Sequence, residues 1–232
     1  MKKILAAMTA ALMMVALAGS ALAAPPTTSL MGQAWKVYNV KPATSSYWDI
    51  NKVKLSGGTL SFPIQQFVSP TTGSFAVYLL DNYNVNITDK VLNADLAWTG
   101  GIYETRSTVC AGAYVRFEFQ DVTAGRYDSN DYWWSTVNFD LNTATSGTLN
   151  ASLQNRTLWT NQAGKSATDG TANWVDWTGA VVAMSPYDGF TKAMKNVKQL
   201  GLSFGSSCTY ASGVALDGKT GTFTVSAFTV TP

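Results

Sequence analysis

The chain contains no histidine, and this absence removes whole classes of chemistry. Serine and cysteine hydrolases of the triad type need an imidazole base, so a Ser-His-Asp or Cys-His arrangement is excluded. A histidine-based zinc site is excluded for the same reason. The sequence also lacks a glycine-rich phosphate loop followed by lysine, and it lacks a dinucleotide-binding fingerprint. The function must therefore rest on other side chains.

Charged residues are scarce, at 13% of the chain. The formal net charge is +2, from 16 basic and 14 acidic residues, but two of the basic residues are Lys2 and Lys3 near the N-terminus. Without those two lysines the positive and negative charges balance. No cluster of lysine and arginine remains in the sequence that would suit nucleic acid or an anionic membrane surface. We therefore expect a partner that carries no net charge.

The first residues have the three parts of an export signal. A short apolar run follows Lys2 and Lys3, and "SALAA" then supplies a cleavage site after Ala23. We predict a signal peptide over 1–23 and a single domain over 24–232, secreted or periplasmic and not inserted in a membrane once the signal is removed. A retained anchor helix is the alternative, although the apolar run is short for a bilayer.

Cysteine is nearly absent, with only Cys110 and Cys208 in the chain. An even number of cysteines in an exported protein favours one disulfide bond. Two free buried thiols are the alternative. A catalytic thiol is disfavoured because no histidine is present to activate it.

The rest of the chain consists of short runs of strand-forming residues separated by Gly, Asn, Asp and Pro, which is typical of a β-sandwich or barrel. In "AYVRFEF", for example, Val115 and Phe117 alternate with Arg116 and Glu118, as in a strand with one buried face. We predict an all-β, jelly-roll β-sandwich of two antiparallel sheets. The best predicted strands cover 75–80, 91–98, 113–119, 135–141, 149–153, 200–204 and 221–230, the last with a bulge near 226–227.

One helix is predicted near 186–200, as a crossover between two strands. Ser185 has the character of an N-cap residue, and Pro186 is suited to the first turn. Phe190 and later apolar residues recur at helical spacing, and Gly201 supplies a stop signal.

Three aromatic residues stand side by side in "NDYWWST": Tyr132, Trp133 and Trp134. Neighbouring side chains of a regular strand point to opposite faces, so Trp134 should face outward if Trp133 lies in the core. An outward indole among short polar groups suits a sugar ring, because binding pockets combine aromatic walls with a few polar groups. The alternative is that loops or the helix cover Trp134 and make it a second layer of core.

A second aromatic pair lies in "NWVDW", within a Gly-, Asn- and Asp-rich region that predicts a structured loop. Together the two stretches predict a ligand site in which aromatic rings stack and polar groups form hydrogen bonds. The candidate ligand-binding residues are Asp131, Tyr132, Trp134, Asn173, Trp174 and Trp177.

Catalysis by a pair of carboxylates receives little support from the sequence. Glu104 and Glu118 are the only glutamates, and Arg116, two residues from Glu118 on the same strand face, should keep Glu118 ionised and spoil a general acid. We predict no catalytic residue, no metal ligand and no cofactor. Calcium is the ion that the acidic turns "YDSND" and "LDGKTG" would suit, with ordinary Asp-rich turns as the alternative interpretation.

Two segments, "YDSNDYWWS" and the tail "GVALDGKTGTFTVSAFTV", resemble secreted bacterial domains of the galactose-binding-like, discoidin-type β-sandwich form, and the resemblance covers roughly 110–232. Many relatives of that fold are carbohydrate-binding modules, so the resemblance implies the sandwich and a carbohydrate ligand. The leading prediction is a non-catalytic secreted protein that binds a neutral glycan. The alternatives are a structural or adhesive envelope protein with a protein partner, and a polysaccharide-acting hydrolase or lyase.

Overall fold

The structure is a computed structural model, and it describes residues 27–40, 48–52, 54–64, 66–67, 76–105, 110–121, 128–217 and 220–232. The predicted signal peptide over 1–23 lies outside these residues. The elements are β1 (Thr28–Ser29), β2 (Trp35–Val40), β3 (Trp48–Lys52), β4 (Lys54–Ser56), β5 (Thr59–Ile64), β6 (Gln66–Phe67), β7 (Ala76–Val85), β8 (Val91–Trp98), β9 (Tyr103–Thr105), β10 (Tyr114–Gln120), β11 (Tyr132–Ser135), β12 (Phe139–Asp140), β13 (Ser146–Ser152), β14 (Trp159–Asn161), β15 (Trp174–Val175), β16 (Val181–Val182), α1 (Pro186–Lys195), β17 (Val197–Gly205), β18 (Val214–Asp217) and β19 (Gly221–Thr231), with 3-10 turns at Ser129–Asp131 and Arg156–Leu158.

Two large antiparallel sheets form the sandwich. The six-stranded sheet has the order β13-β8-β19-β5-β4, with β1 also paired to β19. The eight-stranded sheet has the order β14-β11-β10-β17-β7-β2-β3, with β12 also paired to β10. The predicted all-β sandwich of two antiparallel sheets is confirmed. The structure adds a β15–β16 hairpin and a small sheet, β6-β18-β9, in which β18 runs parallel to β6.

Aromatic side chains join the inner faces of the two large sheets. Phe117 on β10 meets Phe228 on β19 edge to face, with 5.5 Å between ring centroids. Phe62 on β5 meets Phe204 on β17 in the same way at 5.9 Å. Burying one such side chain contributes about 1.5–3 kcal/mol. The period-2 alternation of the sequence therefore builds the core, as predicted.

The last strand contains the predicted bulge. The pairing register of β19 with β8 shifts between Val225 and Ala227. The extra residue, Ser226, is exposed, and Phe223 and Phe228 both reach the core although they lie in opposite phase along the sequence. A bulge restores the inward face of a strand whose alternation is interrupted.

The helix begins where predicted but ends earlier. Ser185 Oγ accepts a hydrogen bond from Asp188 N at 3.1 Å, and Pro186 opens the first turn. The prediction that α1 continues to about residue 200 is wrong, because it ends at Lys195 and β17 begins at Val197. The segment after Val197 pairs with both β10 and β7, and these inter-strand hydrogen bonds outweigh a weak local preference for helix.

The predicted strand over 135–141 is also interrupted. The chain forms β11, leaves the sheet after Ser135 and returns as β12. Ser135 Oγ accepts a hydrogen bond from Phe117 N at 3.0 Å and donates one to Val137 O at 2.7 Å, which bends the chain at this point. Local hydroxyl-to-backbone bonds of this kind compete with a regular strand ladder.

The predicted disulfide is confirmed. Cys110 precedes β10 and Cys208 follows the neighbouring strand β17, with their Cα atoms 5.8 Å apart. Disulfides are typical of proteins outside the cytoplasm. In the described ranges, no helix combines the length and the apolar character needed to cross a bilayer.

Candidate functional site

The adjacent tryptophans point to opposite sides of the sheet, as the alternation predicts. Trp133 is fully buried in the core, where Phe190 of α1 meets it edge to face at 4.9 Å. Its indole N–H donates to Asn130 O at 2.6 Å. Trp134 faces the other way but is only 5% exposed, so of the two alternatives for Trp134, the covered one is observed. It stacks on half-buried Tyr132 at 6.2 Å and 13°.

Asp131 is buried and already has partners. Its carboxylate accepts a hydrogen bond from Asp128 N at 3.1 Å, which completes a capping box around the 3-10 turn. Lys192 Nζ lies 3.4 Å from Asp131 Oδ1. Burial raises the pKa of Asp131, and Lys192 opposes that shift. The contacts of Asp131 are those of a residue that holds the turn before β11.

The acidic turn that contains Asp128 and Asp131 was also a candidate for calcium. Both carboxylates are engaged in the cap, with Asp128 Oδ1 accepting from Asn130 N at 2.8 Å. Within the described part of the chain, no group of three acidic or cysteine side chains is placed to hold a metal ion. Calcium binding stays a prediction.

The "NWVDW" stretch forms the β15–β16 hairpin, and its two tryptophans differ. Trp174 is 6% exposed, and its indole N–H donates to Met184 O at 3.0 Å. Trp177 is 65% exposed near the hairpin tip. Asn173 is exposed at the base, with a left-handed φ of 55°. Trp174 fastens the hairpin, whereas Trp177 and Asn173 are open to a ligand.

Asp176 organises the tip that carries Trp177. Its Oδ1 accepts hydrogen bonds from Thr178 N at 2.8 Å, Thr178 Oγ1 at 2.6 Å and Ala180 N at 3.1 Å. Its Oδ2 accepts one from Ser129 Oγ at 3.3 Å, which ties the hairpin to the 3-10 turn. The bonds from Thr178 are the main cause that lowers the pKa of Asp176. Such an Asx turn fixes the backbone before any ligand arrives.

Two further large side chains that are exposed on the hairpin are apolar. Val175 and Val181 face each other across the two strands and are 59% and 66% exposed. We call Val175, Trp177 and Val181 the hairpin platform. Asp176 is the only charged residue between 170 and 184, so the platform is nearly uncharged.

From a second group of side chains, only Tyr132 and Trp134 were predicted from the sequence as ligand-binding residues. It lies on the outer face of the eight-stranded sheet, the face away from the core, and we call it the outer-face cluster. Its members are Arg116, Glu118, Gln120, Tyr132, Trp134 and Tyr210. In the sequence, the only indication of this cluster is that charged residues alternate with phenylalanines in "YVRFEFQ". Such alternation predicts that the charged residues face solvent, and so it does not predict a buried cluster.

Arg116 and Glu118 are both only 3% exposed. Arg116 Nη1 donates to Ser206 O at 3.0 Å, and its guanidinium lies 4.3 Å from the Tyr210 ring and 5.1 Å from the Tyr114 ring. Glu118 Oε1 instead accepts from Gln120 Nε2 at 2.6 Å. The two side chains therefore have separate partners.

Burial raises the pKa of Glu118 to about 7, and Gln120 and Trp134 partly oppose the shift. The expectation that Arg116 would keep Glu118 ionised is wrong. Desolvation of a fully enclosed carboxyl disfavours its charged form more strongly than the neighbouring dipoles favour it. Arg116 instead donates to Ser206 O and lies over the ring of Tyr210.

No protein-family model matches the chain, and no curated protein sequence matches it. Among solved structures, the chain is similar to a mutant of Xylanase10C from Cellvibrio japonicus, in complex with xylopentaose. The TM-score is 0.41 and the sequence identity is 12%, over 88% of this chain and 28% of that one. This chain therefore spans little more than a quarter of the xylanase chain.

Proposed function

We propose that the protein is secreted, is not an enzyme and binds a neutral carbohydrate through the hairpin platform. The observation that carries this proposal is the position of Trp177, which is 65% exposed at the tip of a hairpin whose backbone Asp176 holds in place. An exposed indole on a fixed backbone loses little conformational freedom when a flat ligand stacks on it. Preorganisation of this kind lowers the cost of binding.

The chemistry of the platform suits a ligand without charge. A sugar ring has an apolar C–H face that an indole covers well, and its hydroxyls need hydrogen-bonding groups at the edge of the contact. Asn173, exposed at the base of the hairpin, carries an amide that both donates and accepts. The carboxylate of Asp176 is occupied by its own turn.

A protein partner is the second candidate, because the platform also contains two exposed aliphatic side chains. Val175 and Val181 offer no hydrogen bond to a sugar. Met184 and Tyr187, 40% and 45% exposed, extend the set of exposed apolar residues in the same stretch of chain. Aromatic residues and methionine are enriched in protein interfaces. A structural or adhesive role in the cell envelope would use this surface.

A polysaccharide-acting enzyme is the third candidate. Glu118 has the raised pKa that a general acid needs. A glycosidase would also need a second carboxylate about 5–9.5 Å away. In addition, the polymer would have to reach Glu118, which is only 3% exposed.

The decisive experiment is affinity electrophoresis of residues 24–232 in gels that contain a panel of neutral polysaccharides, followed by calorimetry with the matching oligosaccharides. Trp177→Ala is the test variant, and Ile102→Ala is the control because Ile102 is also 65% exposed but lies outside the hairpin. We expect Trp177→Ala to weaken binding about tenfold or more, a loss of about 1.4 kcal/mol or more, and Ile102→Ala to have no effect.

Three results would contradict this proposal. Equal binding by Trp177→Ala and the parent protein would remove the platform from the function. Absence of binding to every polysaccharide, together with self-association in sedimentation velocity that Val181→Asp abolishes, would favour the second candidate. Release of reducing sugar that Glu118→Gln abolishes would favour the third.

A further inference from the structure

Three buried polar atoms of the outer-face cluster make no hydrogen bond of normal geometry, although Trp134 lies close enough to Glu118 to lower the pKa of its carboxyl. They are Arg116 Nε, Glu118 Oε2 and Trp134 Nε1. In the part of the chain that the structure describes, Thr88 Oγ1 is the one other buried side-chain atom in this condition. Nearly all buried polar atoms of folded proteins are paired, so three on one face of one sheet require an explanation.

The chemistry of the three atoms indicates what is missing. Arg116 Nε and Trp134 Nε1 carry hydrogens and can only donate, whereas Glu118 Oε2 accepts when the carboxylate is ionised. A hydroxyl group both donates and accepts, so hydroxyls match all three atoms. A ligand that carries several hydroxyls on one small frame would satisfy the cluster without adding a charge.

The spacing of the strand positions that carry these side chains suits one sugar ring. Arg116 and Glu118 are alternate residues of β10, so their Cα atoms lie roughly 6.6 Å apart along the strand. Trp134 stands directly opposite Glu118 on β11. Tyr132 and Tyr210 are half-buried and lie against the Trp134 ring at 6.2 Å and 6.4 Å. Aromatic rings thus border polar side chains whose Cα atoms on β10 are about the width of a pyranose apart.

We propose that the outer-face cluster is a second binding site, which encloses a single sugar-sized polyhydroxyl ring between the Tyr210 side and the sheet. This site is independent of the hairpin platform and of the function proposed for it. The Tyr210 ring lies over Arg116, so the ligand enters when that ring turns aside. The ligand's hydroxyls then accept from Arg116 and Trp134 and pair with the free oxygen of Glu118.

The test uses the indole N–H signals in a proton–nitrogen NMR spectrum of residues 24–232. Trp134→Phe keeps an aromatic ring, removes the N–H and identifies the Trp134 signal by its loss. The probes are glucose, galactose, mannose and xylose, each added to on the order of 100 mM, about a hundredfold above a Kd of 1 mM. Glucuronate serves as an acidic probe of the same size.

We expect one neutral monosaccharide to shift the Trp134 signal saturably, in the parent and in Trp177→Ala alike. Trp134→Phe should weaken that sugar's affinity about tenfold and should not lower the melting temperature of the free protein, because it removes an unpaired buried donor. A purely structural Trp134 would leave the affinity unchanged.

Several outcomes would overturn the proposal. If no probe shifts the signal, the three atoms hold ordered water and not a ligand. A shift by glucuronate alone would make this a site for an anion. Loss of the shift in Trp177→Ala would mean one site and not two. Failure of the hairpin platform in the electrophoresis experiment leaves these expectations unchanged, so the two proposals fail separately.

Discussion

Glu118 on β10 and Trp134 on β11 stand directly opposite each other, and the indole lies close enough to the carboxyl group to lower its pKa although no hydrogen bond of normal geometry joins them. On the other side, Glu118 is paired with Gly201 of β17, which has no side chain. The carboxyl is therefore enclosed but only half satisfied, with Gln120 as its single bonded donor. This arrangement is why burial dominates the titration of Glu118.

The first prediction concerns the stability of the protein against pH. The pKa of Glu118 is about 7 in the folded protein, against an ordinary value of 4.5. Between these values the folded state binds more protons than the unfolded state, so the free energy of unfolding falls as pH rises. At about 1.4 kcal/mol per unit of pKa, the loss from pH 4.5 to pH 8 is roughly 3 kcal/mol.

Urea unfolding at pH 5, 6, 7 and 8 measures this loss, with Glu118→Gln as the test variant and Glu104→Gln, an exposed glutamate, as its control. We expect Glu118→Gln to remove most of the slope and Glu104→Gln to remove none. Burial also raises the pKa of Asp121 and Asp131, so a residual slope of the same sign should remain. An unchanged slope in Glu118→Gln would contradict the enclosed position of this carboxyl.

The second prediction concerns the hairpin tip. Asp176→Ala removes the acceptor for the amides of Thr178 and Ala180, so both amides should lose protection in hydrogen exchange while the core strands keep theirs. Glycan affinity should fall about tenfold, because a loosened Trp177 must be ordered on binding. Asp176→Asn keeps one amide oxygen in place and should retain most of the protection. Equal exchange in all three proteins would show that the turn is held by other contacts.

The fold could be predicted from the sequence wherever a segment showed one clear hydrophobic periodicity or a local capping pattern. The alternation of β10, the bulge in β19 and the N-terminal cap of α1 follow from local patterns and are observed. The end of α1 was not accessible, because Val197 joins a strand only when β10 and β7 lie on either side of it. Pairing with strands distant in sequence decides such boundaries.

The candidate site was accessible only in part. Of the three candidate tryptophans, Trp177 is exposed, whereas Trp134 and Trp174 are covered, and a ligand role for any of them stays a prediction. A strand pattern says which face a residue occupies, but not whether a distant loop covers that face. Tyr210, more than 70 residues after Trp134, lies against it. For the same reason Arg116 and Glu118 were expected to interact, whereas the folded chain gives each its own partners.

The third prediction concerns the disulfide. Cys110 and Cys208 are separated by 98 residues. In the unfolded chain the bond therefore closes a long loop, which includes the sequences of α1 and the hairpin. Replacing both cysteines by alanine should lower the free energy of unfolding by about 4–5 kcal/mol in the chain-entropy model. Urea unfolding of the double variant measures the change, with the parent protein under a reductant as a second measurement. A loss below about 1 kcal/mol would contradict the entropic account for this loop.

The last prediction separates two tryptophans that lie three residues apart. Trp174→Ala should destabilise the protein by about 3 kcal/mol, the lower end of the range for a buried tryptophan, because its ring is buried but does not belong to the main core cluster. Trp177→Ala should change stability by less than about 0.5 kcal/mol, as expected for an exposed side chain. Thermal and urea unfolding of both variants measure the difference. Because Trp177 has no structural role to lose, its effect on glycan binding can be attributed to the ligand contact itself. A comparable loss of stability in both variants would show that Trp177 also has a structural role. The effect of Trp177→Ala on glycan binding would then no longer support the hairpin platform as the binding site.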